Sequence, residues 1–324
     1  MTKMRRIPVA TFASGEEVCL YIHEIVGKKG KGPLLGISGA IHGNEPTGSY
    51  VIREIAKHYA DGNFRGRLWL MPVTNPLAFQ ANKRTTPVDG GNLNRVFPGK
   101  ANGMFTDLLA AAVKKEFLDH VEAYLDFHTG TDRPTVDYTY VHNDLGLSRA
   151  FGTRFLFRPM ADRAGPVFNG TSKAVTTARG VPSVTIELGG GVVDQRPYIE
   201  RGIEGIKNCM RYLKMDSTRM EPAIQQTVLG VLPTIYNTQG GFLYTEAPAL
   251  GEEIKGGQVL GRVYSPYTFK QLEVIKNPIK RGVMILSHLT PNLVEPGDFA
   301  YMIGDLDGAE KLPGAKPKKG RHYA

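Results

Sequence analysis

From about residue 17 to residue 215, short apolar runs that stop abruptly at polar residues or glycine alternate with amphipathic helical stretches. This pattern constrains the chain more than any other, because it is the signature of helices layered on a sheet. The runs 18–26, 34–41, 68–74, 123–128, 139–143 and 183–188 read as strands. Segments 45–60, 106–121, 144–151, 171–179 and 199–214 read as helices, several with apolar positions three and four apart. The strands should form a mostly parallel or mixed sheet covered on both faces. Near Asp216–Pro222 the texture changes to strand-only patterning rich in glycine and proline. There the run Ile254-Lys-Gly-Gly257-Gln-Val259 is echoed by Val294-Glu-Pro-Gly297-Asp-Phe299, which suggests a two-fold β-sandwich. The expected organisation is a catalytic domain over 1–215, a β-rich domain over 222–310 and a basic tail over 311–324.

Length supports two units, since 324 residues are many for a single core. The formal charge of +9 comes from dispersed Lys and Arg residues, with one dense run at Lys311–Arg321. Without a basic stripe between aromatic platforms, this distribution argues against a nucleic-acid partner and for a field that draws in small anions. Cys19 and Cys209 lie outside any Cys-x-x-Cys pattern, so buried reduced thiols are expected rather than a disulfide framework or a cysteine metal site. No segment approaches the ~20 apolar residues of a membrane span, and the N-terminus has no continuous apolar signal region. A cytoplasmic protein without a membrane partner is the expectation, and a homo-oligomer is compatible with it.

Four segments carry chemistry. In IHGNEPTG, His42 and Glu45 stand three apart where a strand gives way to a helix, the place where open α/β sheets build their sites. Alone, that pair also fits a helix N-terminal carboxylate beside a surface imidazole. In LDFHTG, His128 ends an apolar run and supplies a third metal ligand, leaving a fourth position open as a catalytic zinc requires. In SVTIELGGG, Glu187 closes a β-branched strand, and a carboxylate there is costly unless it is paired or has a task such as general base. The aperiodic loop NKRTTPVDGGNLNRVFPG holds Arg84, Asn94 and Arg95. An Asn-Arg pair suits a substrate carboxylate, with Arg84 or the metal left to polarise the scissile carbonyl.

In order, His42-Gly-Asn-Glu45, Asn94-Arg95 before Phe97-Pro98-Gly99, His128 after Asp126-Phe127, and Glu187 in Thr185-Ile-Glu-Leu-Gly189 resemble the succinylglutamate desuccinylase/aspartoacylase family of the zinc carboxypeptidase superfamily. The resemblance implies a phosphorylase/hydrolase-like α/β/α sandwich with a mixed sheet and a smaller C-terminal β-sandwich. It implies one Zn(2+) per chain on His42, Glu45 and His128, Glu187 as catalytic base, Arg84 at the oxyanion, and Asn94 with Arg95 on the substrate carboxylate. It further implies hydrolysis of a small, anionic N-acyl amino acid of acetyl or succinyl type; a zinc carboxypeptidase acting on short peptides is the alternative. Asn75-Pro76 is similar to a turn common in the superfamily. Where many members carry Asp as the acceptor for a zinc-bound imidazole, this chain has Asn92, so zinc should bind more weakly unless Asp89 or Asp126 substitutes. The spacing of Arg84 from Arg95 also departs from the mammalian pattern. The C-terminal part resembles a biotinyl/lipoyl-type sandwich, but Ser265-Pro-Tyr-Thr268 lacks a carrier lysine. This part is expected to border the site through a tyrosine such as Tyr267 or Tyr301.

Overall fold

The computed structural model describes residues 2–159, 169–218 and 224–314. Most of the basic tail, and residues 219–223 of the expected boundary, lie outside them. The first half contains β1 (Thr2–Thr11), β2 (Glu17–Val26), β3 (Leu34–Ser38), α1 (Thr47–His58), β4 (Arg67–Met71), α2 (Pro76–Gln80), α3 (Phe105–Val113) and β5 (Ala123–His128). There follow β6 (Tyr138–Tyr140), α4 (Leu145–Ala150), β7 (Phe155–Phe157), α5 (Ser172–Ala178), β8 (Ser183–Glu187), α6 (Arg196–Tyr212) and β9 (Gln226–Leu229). The remaining strands are β10 (Thr234–Tyr236), β11 (Gly241–Thr245), β12 (Glu253–Lys255), β13 (Val259–Tyr264), β14 (Gln271–Lys276), β15 (Arg281–Leu286), β16 (Asn292–Val294), β17 (Phe299–Asp305) and β18 (Glu310–Leu312).

Among the described residues, one ten-stranded mixed sheet runs in the order β1-β2-β4-β3-β5-β8-β6-β7-β9-β18. Its centre, β4-β3-β5-β8, is parallel. The alternation along β5 and β8 sorts side chains between two cores. Leu125, Phe127, Val184 and Ile186 face the core shared with α1, α4 and α6, where Val51, Ile52, Ile206 and Met210 are buried. Tyr124 belongs to the opposite core beside Leu109, Val113 and Phe117 of α3 and the π-helical turn after it. The polar residues Asp126, His128, Thr185 and Glu187 share Tyr124's parity, so two fully enclosed strands present one polar edge at their C-terminal ends.

The expected strand over 34–41 stops at Ser38. Ala40 takes a left-handed backbone (φ +49°), and the carbonyls of Gly39 and Ala40 accept N–H groups from Thr74 and Asn75 instead of continuing the ladder. Asn75 caps α2 by accepting the Ala78 N–H (3.2 Å). The chain leaves the large sheet after β9 and returns to it at β18, which pairs with β9 through Glu310–Leu312. Between these two strands lie two four-stranded antiparallel sheets, β10-β17-β15-β12 and β14-β13-β11-β16, packed over Leu243, Leu260, Val263, Met284, Tyr301 and Ile303. The internal repeat is realised here. Strands β12 and β16 occupy matching places in opposite sheets, and Gly257 and Gly297 both turn with positive φ (75° and 85°). No helix among the described residues is long and apolar enough to cross a membrane. Cys19 and Cys209 are free and buried.

Candidate metal centre

Three strand ends deliver the site: the turn after β3 brings His42 and Glu45, β5 brings His128 and β8 brings Glu187. His42, Glu45 and His128 are almost fully buried. Each offers a ligand atom lying within 4.8 Å of the others. Both imidazoles turn Nδ1 toward Glu45, at 2.9 Å from Oε1 for His42 and 3.0 Å from Oε2 for His128. On the far side, His42 Nε2 faces Asn92 Oδ1 at 3.2 Å, and His128 Nε2 faces Asp126 Oδ2 at 3.3 Å.

That arrangement tests the metal expectation. Asn92 and Asp126 can each accept a proton held on Nε2, and a neutral imidazole so fixed points its Nδ1 lone pair inward. Two lone pairs and a carboxylate converging on one buried point would repel one another unless a cation lies between them. This donor set fits a divalent ion with an open coordination position. Without the ion, protons must do the same work. Burial and Asp126 act in opposite directions on His128, and Asp126 with Glu45 raises its pKa well above the ordinary value. Burial lowers that of His42 against the pull of Glu45. Burial also opposes charge on Glu45, yet the two imidazoles hold its carboxylate well below the usual range.

Glu45 is further clamped by Arg84 Nη1 (2.9 Å), Thr131 Oγ1 (2.9 Å) and the Thr129 N–H (3.2 Å). Asp126 accepts from Ser38 Oγ (2.8 Å) and Ser172 Oγ (2.6 Å), so its orientation is set from two elements. Glu187 lines the same cavity, of about 510 Å³. Burial pushes its carboxyl up to about 8. A carboxyl this close to neutrality can both take and return a proton.

A family model described as the succinylglutamate desuccinylase/aspartoacylase catalytic domain matches residues 31–213. The chain belongs to this family. A relative, the N-alpha-acetyl-L-2,4-diaminobutyric acid deacetylase of Halomonas elongata, is 26% identical over 295 residues, covering 87% of this chain and 84% of its own. The crystal structure of a succinylglutamate desuccinylase from Silicibacter sp. TM1040 is similar, with TM-score 0.81, 25% identity and 94% of each chain covered. The product-bound ectoine utilization protein EutE (DoeB) of Ruegeria pomeroyi shares the fold, with TM-score 0.82, 24% identity and 94% coverage of each chain.

Within this desuccinylase/aspartoacylase framework the sequence-derived candidates fall into two groups. His42, Glu45 and His128 cluster, Glu187 lines the same cavity, and Asn92 faces His42. Asp126 serves His128, whereas Asp89 is occupied elsewhere, accepting from the Gly91 and Thr106 N–H groups and from Thr106 Oγ1. Arg84 reaches Glu45, a metal-ligand candidate. The Asn94 carboxamide is buried, its Oδ1 accepting the Ser172 N–H (3.0 Å) and its Nδ2 lying 3.3 Å from His128 Nε2. Arg95, exposed, lines the cavity beside it.

Neither Tyr267 nor Tyr301 reaches the cavity. Tyr267 is 90% exposed on the turn between β13 and β14. Tyr301 points into the sandwich core and donates to the Leu260 carbonyl (2.9 Å). The sandwich instead contributes Thr234, Tyr236, Leu286, Phe299 and Met302 to the wall. Sequence reasoning also missed Tyr138, Tyr140, His142, Thr171, Lys173 and Arg133, all of which line the cavity. Tyr138, Tyr140 and His142 are spaced two apart, and their rings follow one another at centroid distances of 5.6 and 5.8 Å. That period of two could have revealed them as one face.

Proposed function

We propose that this chain is a zinc-dependent amidohydrolase that removes the acyl group from a small N-acyl amino acid, with one zinc held by His42, Glu45 and His128. The observation that carries the reading is the inward-facing pair of Nδ1 atoms around Glu45, each backed by an acceptor, with Glu187 in the same cavity. The deacylase named among its relatives supports it. A phosphorylase/hydrolase-like layering accords with a mixed sheet that carries a core on each face. Two free buried thiols accord with a reducing, cytoplasmic setting.

When bound, the zinc supplies Lewis acidity that lowers the pKa of water and polarises the acyl carbonyl. Glu187 takes the proton of the attacking water and returns it to the leaving nitrogen, so one carboxyl serves both halves of the reaction. Arg84 places a positive charge beside the ligand cluster, where it helps hold the charge that develops on the carbonyl oxygen. Arg95 takes the carboxylate of the amino acid as a guanidinium fork, and Asn94 braces the neighbouring backbone through Ser172.

The test is an amine-release assay over N-acetyl and N-succinyl amino acids and a C-terminal dipeptide, with and without a chelator. Turnover of N-acyl amino acids that stops with chelator and returns with zinc is expected. Chelator-insensitive turnover, or a preference for the dipeptide, would overturn the reading.

A further inference from the structure

The sandwich sheet β14-β13-β11-β16 carries an apolar surface on the side away from its core. Leu243 and Val263 point into the core, so the two-residue alternation of strands turns Phe242, Tyr244 and Tyr264 outward. In the strand register Phe242 stands opposite both Tyr264 and Leu293. Arg262 stands opposite Tyr244 and Val274, which places Leu272, two residues before Val274, on the same outer face. The Tyr244 and Tyr264 rings meet edge-on, with centroids 5.7 Å apart. The turn from β13 to β14 adds two exposed aromatic residues, Tyr267 and Phe269.

Phe269 takes a left-handed backbone (φ +56°), where glycine would be unstrained. Hydrogen bonds fix the turn around it. The Phe269 N–H donates to the Ser265 carbonyl (3.0 Å), and Ser265 Oγ accepts the N–H groups of Tyr267 (3.2 Å) and Thr268 (3.1 Å). None of these bonds uses the phenyl ring, which is 78% exposed. Within one chain the ring therefore adds backbone strain and hydrated apolar surface, with little burial to offset them.

Area and charge both suit a second copy of the chain as the occupant of this face. Phe242, Tyr244, Tyr267, Phe269, Leu272 and Leu293 leave on the order of 700 Å² uncovered, at roughly 200 Å² for a whole large side chain. That exceeds the roughly 300–600 Å² of the largest patch on a typical monomer and approaches the about 800 Å² that each partner gives to a standard interface. On a chain of formal charge +9, two copies repel each other least where the contact itself is neutral. Arg262 meets that condition, because Glu246 pairs with it (2.6 Å) and Gln271 accepts from it (2.9 Å). An antiparallel sheet face of this kind packs on its own copy as the two sheets of a sandwich pack on each other, the same patch meeting itself across a two-fold axis. The opposite sheet supplies Thr234, Leu286 and Met302 to the wall of the metal-site cavity, so a copy seated here leaves the cavity open.

We propose that the chain forms a two-fold dimer through the outer face of β14-β13-β11-β16, with Tyr267 and Phe269 completing the contact.

Sedimentation velocity over a dilution series tests this with the full chain as wild type, Phe269→Gly, the double variant Phe242→Ser/Tyr244→Ser, and Tyr21→Ser, a change at an exposed tyrosine on β2. The wild type should be a dimer that dissociates on dilution, and Tyr21→Ser should match it. Phe269→Gly relaxes the backbone, so the diluted protein should melt no lower than wild type while its dimer dissociation constant rises at least about tenfold. The double variant should be monomeric at concentrations where the wild type is dimeric. If it does not fold, Phe269→Gly decides. A wild type that is monomeric throughout the series overturns the proposal and leaves the face to a different protein or a lipid surface. A dimer whose dissociation constant is unchanged in Phe269→Gly also overturns it, because the copies then meet elsewhere.

Discussion

At the residue scale, Glu187 has the clearest consequence. Replacing it with Gln removes the proton acceptor but keeps the shape, so kcat should fall by about a hundredfold to ten-thousandfold while zinc content is retained. A variant with full turnover would remove Glu187 from the chemistry. Asn92 concerns the ligands instead. It accepts from His42 without the negative charge that would make that imidazole a stronger donor to the metal. Asn92→Asp should therefore tighten zinc binding, by up to about tenfold in a chelator competition, and equal affinity would count against this.

At the scale of elements, the site depends on a tight crossing between the turn after β3 and α2. A Cβ built on Gly43 would stand 1.9 Å from the Ala78 carbonyl carbon, so any side chain there forces the turn that carries His42 and Glu45 to shift. Gly43→Ala should cost about 1–3 kcal/mol of stability by overpacking. It should weaken zinc binding as well, and melting together with metal competition would show both losses. Ala40 and Thr131, with φ of 49° and 62°, hold left-handed backbone close to this turn, and Thr131 donates to Glu45. Such strain persists where surrounding bonds over-determine it. The elements legible in the sequence were those with a strong period. Helix α1 buries Val51, Ile52 and Ile55, and β5 buries every residue from Ala123 to His128. The missed strands β1, β7 and β18 had weaker signals, whereas β9 falls inside the stretch read as β-rich but pairs with the large sheet. β1 is an edge strand whose arginines are used in contacts, Arg5 over Trp69 at 4.9 Å and Arg6 with Glu17. β7 and β18 are three residues long, too short to show alternation.

At the scale of the whole molecule, the metal would tie together the exits of β3 and β5, which adjoin in the centre of the sheet. A ligand bound by the folded state alone stabilises by about 2.7 kcal/mol at a hundred times its Kd. Tm should rise with free zinc in the wild type, and His42→Ala should abolish that dependence. The sandwich is joined to the catalytic sheet by more than chain continuity. Arg133 donates to His288 (3.1 Å) and lies over Phe299 at 5.5 Å, while Val136 and Ile285 share a backbone bond.

By itself the sequence determined the periodicities that make strands and helices, and the residue types able to bind a metal and move a proton. His42, Glu45, His128 and Glu187 were legible because each stands where an apolar run ends, and strand ends are where side chains of a parallel sheet converge. Only the tertiary structure decided which partners complete them. Asp126 rather than Asp89 backs His128, and Met302 and Phe299 rather than Tyr267 or Tyr301 face the cavity. Lys173 was invisible in a polar helix start until folding set it beside His142. The physical reason is common to these cases: local sequence sets the direction of each side chain within its own element, but the register and packing of elements distant in the chain set what that side chain meets.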